Sequence, residues 1–316
     1  MLFWTSTADV PSGFGPSAVT VGKFDGVHRG HRAVIDRVRA TADELGLVPT
    51  VVTFDRNPLS VLRPEICPDP LVSNPQKVDL LADAGVGATL MLTFDDEFRA
   101  TPAERFVTDI LVDTLHARVV LVGADFRFGA RGAGDVALLR DLGAAHGFEV
   151  VEVEDHAEDG GRRVSSTWVR ELLDAGDIRG ATRLLGAAPS VRAEVVHGFE
   201  RGRALGYPTA NLSPEVEGYL PADGVYATWL IVDGVRYGSA TSIGNNPTFD
   251  GVRDKQVESH AFDQTFDLYG RQVTVEFVEF IRGMHKFSGP DELAAQMALD
   301  ERRVRDVLGL PSRAGT

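Results

Sequence analysis

Gly22-Lys23-Phe24-Asp25-Gly26-Val27-His28-Arg29-Gly30-His31 lies between an apolar run, Ser17-Ala18-Val19-Thr20-Val21, and an amphipathic stretch. The run reads as a buried strand. Val34, Ile35, Val38 and Leu45 then recur at helical spacing up to about Gly46. The glycines therefore fall in a strand-to-helix turn, where the backbone needs angles that a side chain forbids. The helix that follows leaves its first N–H groups unpaired at the positive end of its dipole, a place where phosphate binds well. His28 and His31 flank that place and can donate to phosphate oxygens. Histidines that only cap a helix would occupy the same positions. That Gly22, Asp25 and Gly26 all suit one turn favours the anion site.

Outward from this turn the pattern alternates. Strands are expected at 48–54, 88–94, 118–122 and 148–153, and helices at 74–85, 101–115 and 135–145. Asn74-Pro75 and Thr101-Pro102 each read as a cap followed by proline at the first helical position. Near-continuous apolar strands alternating with helices predict a parallel sheet covered on both faces. Ligands of such sheets bind beyond the strand C-termini. Those ends carry Thr53-Phe54-Asp55-Arg56-Asn57-Pro58 and Gly123-Ala124-Asp125-Phe126-Arg127-Phe128-Gly129, followed by Arg131-Gly132. Glycines alternating with aromatics suit a flat ligand, although Phe126 and Phe128 can equally fill core. Further on, Ser165, Ser166 and Thr167 open a short helix with Arg170 one turn in. They read as caps, and with the arginine they also suit a triphosphate tail.

A helix at 177–185 and a linker at 186–190 end this pattern. From Val191 short strands of period two take over, at 191–196, 225–232, 235–240, 257–261 and 273–280. Asp233-Gly234 marks a hairpin. An antiparallel barrel or sandwich is expected, with a final helix at 290–308 against it. Gly198-Phe199-Glu200-Arg201-Gly202-Arg203-Ala204-Leu205-Gly206 reads as a flexible loop with two cations, leading into Tyr207-Pro208-Thr209-Ala210-Asn211. If extended, that segment puts Thr209 and Asn211 on one side as hard oxygen donors, suited to Mg²⁺ shared with phosphates. Simple turn residues would look the same. Glu258 and His260 share a strand face, and Glu258 reads either as a base toward a hydroxyl or as part of a solvated face.

Composition sets bounds. The chain has 316 residues, enough for two ordinary domains, expected at 1–186 and 187–316. It is 43% hydrophobic and 25% charged, with a net charge of −14, which argues against general nucleic-acid binding. An acidic protein that binds nucleotides must rely on local cations, helix ends and a divalent ion. The single cysteine, Cys67, excludes an intrachain disulfide and fits a reducing compartment. No signal peptide or membrane-length apolar run is read, so a cytoplasmic location and no membrane partner are expected. Neither G-x-G-x-x-G after a strand nor G-x-x-x-x-G-K-[ST] occurs, which argues against a dinucleotide oxidoreductase and a P-loop enzyme.

The first-half motifs, G-x-F-D-G-x-H-x-G-H, T-F-D-x-x-P, G-x-D-F-x-F-G and S-S-T-x-x-R, resemble the adenylyltransferase half of bifunctional bacterial FAD synthetases. The second half resembles their riboflavin kinase module, through G-x-x-R-G-R-x-L-G-Y-P-T-A-N, Pro221 to Ala227, Ser242 to Phe249, Val257 to His260 and Asp267 to Gly270. The resemblance implies a Rossmann-like nucleotidylyltransferase sheet followed by a β-barrel of riboflavin kinase type. It implies ATP at Gly22, Phe24, Asp25, Gly26, Ser165, Thr167 and Arg170, with His28 and His31 acting on its phosphates. It puts FMN near Phe54, Asn57, Pro58, Asp125, Phe126 and Phe128. In the second half it puts a second ATP on Gly198, Arg201, Gly202, Arg203, Gly206, Pro208 and Thr209, Mg²⁺ on Thr209 and Asn211, and the base at Glu258. Riboflavin would become FMN and then FAD. Four departures stand out: Asn57 where the family usually has histidine, Arg56 where proline is common, Gln264-Thr265-Phe266, and Met284 where an acidic residue is common. The rivals are a nucleotidyltransferase for another phosphorylated substrate and a non-catalytic flavin carrier or sensor.

Overall fold

The computed structural model describes residues 1–153, 158–197, 207–244, 255–264 and 267–312. They form two compact units, Met1–Ser165 and Ser166–Thr316.

The first unit is a six-stranded sheet of β1 (Leu2–Trp4), β2 (Ser17–Val21), β3 (Val48–Phe54), β4 (Ala88–Leu92), β5 (Ala117–Val122) and β6 (Glu149–Glu152). Its order is β1-β4-β3-β2-β5-β6, and every pairing is parallel. Successive strand residues go to opposite faces. Val19, Val52 and Val120 pack under Phe106, Leu111 and Leu139. Ala18, Val119 and Leu121 meet Val38 and Ala42 of helix α1 (Arg29–Leu45), while Val51 joins Ile35 and Leu81. Both faces are therefore covered, as the apolar runs require. The strand order reverses between β2 and β5, so the crevice at their C-terminal ends is the topological switch point.

Local details differ from the sequence reading. Strand β1 was not expected. It lacks the long apolar run of its neighbours and joins the edge through β4. After the short helix α2 (Leu59–Leu62), helix α3 (Asn74–Asp83) is capped by Ser73, not Asn74. Ser73 and Gln76 form a reciprocal capping box, which moves Asn74 and Pro75 inside the first turn. Thr101 is not a cap either. Beyond α4 (Asp96–Arg99), a single turn α5 (Ala103–Arg105) widens into a π-helix, Phe106–Thr114. There Leu115 N donates to Ile110 O (3.0 Å) and Thr114 Oγ1 to Asp109 O (2.6 Å), both five residues back. Helix α6 (Val136–His146) lies where a helix was expected, with Asp135 as its cap rather than its first residue. A two-stranded ribbon, β7 (Glu158–Asp159) and β8 (Arg162–Arg163), ends the unit.

The second unit opens with α7 (Ser166–Asp174) and α8 (Ile178–Leu185), which the sequence reading had placed at the end of the first domain. They bond to the second unit: Ala222 N donates to Leu173 O, Tyr219 to Asp174, and Arg179 pairs with Glu279. Then β9 (Ser190–Val196), β10 (Ala210–Leu212), β11 (Gly224–Val232), β12 (Val235–Gly244), β13 (Gln256–Ala261) and β14 (Gln272–Arg282) close an antiparallel barrel in the order β10-β13-β12-β11-β14-β9. Closure decides between the barrel and the sandwich, and it leaves no free sheet edge. Tyr226, Leu230, Val275 and Phe277 fill the interior. Helix α9 (Pro290–Leu308) covers the outer wall, where Val304 meets Ala227 and Phe262.

Candidate functional sites

In the first unit, the turn after β2 is strained and buried at once. Phe24 (φ 48°) and Val27 (φ 40°) take left-handed backbone angles, beside Gly26 at φ 78°. A β-branched residue rarely adopts that conformation. Burial of both side chains with Ile35, Val51 and Leu81 offsets the strain. Phe24 thus packs in the core, its ring 5.1 Å from that of His31, so what it offers a ligand is backbone. Gly22 N donates to Val52 O (3.0 Å) and Thr53 Oγ1 to Lys23 O (3.1 Å), tying the turn to β3. Asp25 Oδ1 accepts from Leu71 N (2.8 Å).

His28 is the N-cap of α1, and its Nδ1 accepts from His31 N at 3.3 Å. An Nδ1 that accepts this bond leaves Nε2 as the ring nitrogen that carries the proton. The His31 ring stacks on it at 3.7 Å and 15°. His31 Nδ1 is buried with no hydrogen-bond partner. Burial, reinforced by His28, Lys23, Lys77 and Arg163, pushes the His31 pKa well below the ordinary imidazole range. The switch point therefore holds a neutral His31 ring among converging cations, although the chain as a whole is acidic.

The residues expected near the flavin join through rings. Phe54 meets Phe94 and Phe98 (5.4 and 5.7 Å), Phe98 meets Phe106, Phe106 meets Phe128, and Phe126 stacks on Phe128 at 5.4 Å. Phe128 is core, while Phe54 and Phe126 stay half-buried. The glycines of this loop have internal reasons. A Cβ on Gly129 would lie 2.5 Å from Ala103 Cα, and one on Gly134 2.7 Å from the Phe128 ring. Asn57 caps its own turn, Oδ1 accepting from Leu59 N at 3.1 Å, and Pro58 precedes α2. Asp125 is exposed and pairs with Arg163 at 3.4 Å. Ser165 ends the first unit, whereas Thr167 and the buried Arg170 lie on α7 in the second.

Lys77 and Arg163 were missed as site residues. Arg163 lay beside the S-S-T motif. Lys77 stands on the apolar spacing of α3 with Leu80, Leu81 and Ala84, a buried slot where a lysine is uncommon.

On the barrel, Asn211 of β10 and Glu258 of β13 are direct cross-strand partners, and Ser242 of β12 lies on the far side of Glu258. Their neighbours Leu212, Val257, Ser259, Thr241 and Ile243 point inward and are buried, so this polar row lines the outer wall. Asn211 Nδ2 approaches Thr209 O at 3.5 Å, and His260 Nδ1 contacts Pro208 O at 2.7 Å. Beneath the row, Thr228, Ser239, Thr241 and Ser259 link hydroxyl to hydroxyl at 2.7–2.9 Å, pinning β11, β12 and β13. Gly198, Arg201, Gly202, Arg203 and Gly206, like Thr265 and Phe266, lie outside the described residues. No cluster of three His, Cys, Asp or Glu suited to a metal occurs among the described residues. No helix among them is long and apolar enough to cross a membrane.

A doubly wound sheet with paired histidines at its switch point, followed by a closed barrel with an amide–carboxylate pair on its wall, defines a two-module nucleotide-dependent transferase. Residues 12–168 match the family model described as FAD synthetase, and residues 185–308 match that of riboflavin kinase. The bifunctional riboflavin kinase/FMN adenylyltransferase of Escherichia coli K12 is 38% identical over 94% of both chains. That of Pseudomonas fluorescens is 38% identical over 93% of both. The chain belongs to the bifunctional riboflavin kinase/FMN adenylyltransferase family. A solved structure from Streptococcus pneumoniae, described as a macrolide-efflux protein, is also similar, with 31% identity and a TM-score of 0.84 over 96% of this chain and 98% of that one.

Proposed function

We propose that the chain makes FAD in two ATP-dependent steps, one per module, with the residues in the following roles. In the barrel module, Glu258 takes the proton of the ribityl 5′-hydroxyl of riboflavin, whose oxygen attacks the γ-phosphate of ATP to give FMN and ADP. The observation that carries this assignment is the Asn211–Glu258 cross-strand pair, which sets a hard oxygen donor beside a candidate base. Thr209 and Asn211 fit Mg²⁺ by donor type. The ion, when bound, would neutralise charge on the phosphates. Gly198, Arg201, Gly202, Arg203, Gly206 and Pro208 are assigned to ATP on the motif alone.

In the α/β module, a phosphate oxygen of FMN attacks the α-phosphate of a second ATP and pyrophosphate leaves. No covalent enzyme intermediate is needed. The residues' task is positioning and charge stabilisation. His28 donates through Nε2, neutral His31 lies beneath it, and the cations around them favour the charge that builds on the phosphates. Gly22, Asp25 and Gly26 shape the turn, and Ser165, Thr167 and Arg170 are assigned to the phosphates on the motif alone. Half-buried Phe54 and Phe126 offer ring faces to the isoalloxazine, beside Asn57, Pro58 and Asp125. The cytoplasm supplies both substrates and is the proposed location. The test is a chromatographic time course with riboflavin, ATP and Mg²⁺: FMN should rise first and FAD follow. FMN that accumulates without FAD would overturn the assignment to the first module.

A further inference from the structure

Lys77 is only 6% exposed, in the first turn of α3, where its charge opposes the helix dipole. An apolar side chain would suit the fold better there, since removing an ammonium from water is costly. The capping box of Ser73 and Gln76 fixes the turn, and Lys77 N donates to Ser73 O at 2.8 Å. Thus placed, the ammonium donates to Phe54 O at 2.8 Å, the last carbonyl of β3. The carboxylates whose charge acts on it are Asp25, in the turn after β2, and Asp55, directly after Phe54. Asp55 Oδ1 in turn accepts from Phe94 N at 3.0 Å. One buried cation thus joins the turn assigned to the nucleotide and the loop assigned to the flavin.

We infer that Lys77 is a positioning residue for adenylyl transfer: through Phe54 O, Asp25 and Asp55 it sets the spacing between the two substrate-bearing loops. This rests on the adenylyl-transfer reading of the module. Lys77 need not touch a reacting atom. Misplacing either loop by about 1 Å is enough to cost roughly a hundredfold in rate. Charged groups facing it are Asp25 and Asp55, which hold its proton, and His31, which is neutral; burial outweighs the acids and lowers the lysine's pKa below the usual range. Adenylyl transfer should therefore weaken as alkaline pH deprotonates Lys77.

The test supplies FMN, ATP and Mg²⁺ to the full chain and to Lys77→Met and Lys77→Arg. Lys77→Met should lose about ten- to a hundredfold in kcat for FAD formation, while riboflavin phosphorylation stays at the wild-type rate. Its pH profile should lack the alkaline fall of the wild type. Lys77→Arg should recover part of the loss, and Lys77→Gln replaces Lys77→Met if that variant does not fold. A folded neutral variant with wild-type kcat, or one that keeps the alkaline fall, overturns the inference. Wild-type protein that makes no FAD from FMN and ATP would instead overturn the reading on which it rests.

Discussion

His31 shows how much one side chain can report. Its imidazole is held neutral by burial first, then by His28, Lys23, Lys77 and Arg163. The unfolded chain binds a proton at this residue below its ordinary value of 6.5, while the folded chain resists until lower pH. Between those limits the unfolded state holds more protons, so the folded state loses stability as pH falls and has this contribution in full above the ordinary value. Urea unfolding of the first unit should therefore show a midpoint that drops from pH 7.5 to pH 5.5, by less in His31→Gln than in wild type. An identical drop in both would mean that His31 does not carry the effect. At this scale the sequence was informative about chemistry and silent about environment. The two histidines announced an anion site, but nothing in their spacing told that Nδ1 of one would cap and Nδ1 of the other would be sealed. Phe24 is the converse, a motif residue whose ring the fold spends on its core.

The final helix argues the same point for elements. Its limits, 290–308, agree with the sequence reading because Gly289-Pro290 and Gly309 punctuate it clearly. Its fastening was not legible. Arg305, 3% exposed, binds Glu301 at 2.9 Å, Asp263 at 2.8 Å and Pro311 O at 3.1 Å, and lies over the Phe262 ring. Asp300 takes Arg282 of β14 and Gln296. Removing Arg305 would break its ion pair with the buried Glu301, and breaking a buried pair costs about 3–5 kcal/mol. Asp263 is largely exposed and regains water, so Arg305→Ala should fall at the lower end, about 3 kcal/mol in denaturant unfolding of the second unit. Arg305→Ala with unchanged stability would show that α9 is held by its apolar face alone. Strands β2 to β6 were readable because their apolar runs are nearly continuous. The caps of α3 and α5 were not, since Ser-Asn-Pro and Thr-Pro each offer two starts and only the reciprocal Ser73–Gln76 bonds decide the first. The π-helix left no signature, because its hydrogen bonds reach only one residue further back than those of an α-helix.

For the whole molecule, a net charge of −14 has to coexist with two anionic substrates. The structure answers locally: Lys23, Lys77 and Arg163 act on one histidine. Sequence order alone gave a sheet followed by a barrel, and the motifs gave the residues. What neither could give was the Asn211–Glu258 register, or the side of the barrel wall the pair lines, because the two strands are far apart in sequence. Each chemistry is assigned to residues of one motif set, and this makes the two steps separable by mutation. His31→Ala removes a group proposed to stand where charge develops, and losing one such group costs about a hundredfold or more. FAD formation from supplied FMN should fall by that factor, with riboflavin phosphorylation unchanged. Glu258→Gln keeps size but removes the proposed base, with an expected loss of roughly a hundred- to ten-thousandfold in FMN formation. Supplied FMN should still become FAD at the wild-type rate, so mixing the two variants with riboflavin, ATP and Mg²⁺ should restore FAD synthesis through free FMN. Failure of that mixture, with each folded variant keeping its own step, would mean that FMN passes between modules without release. A single variant that silenced both steps would mean that one site serves both.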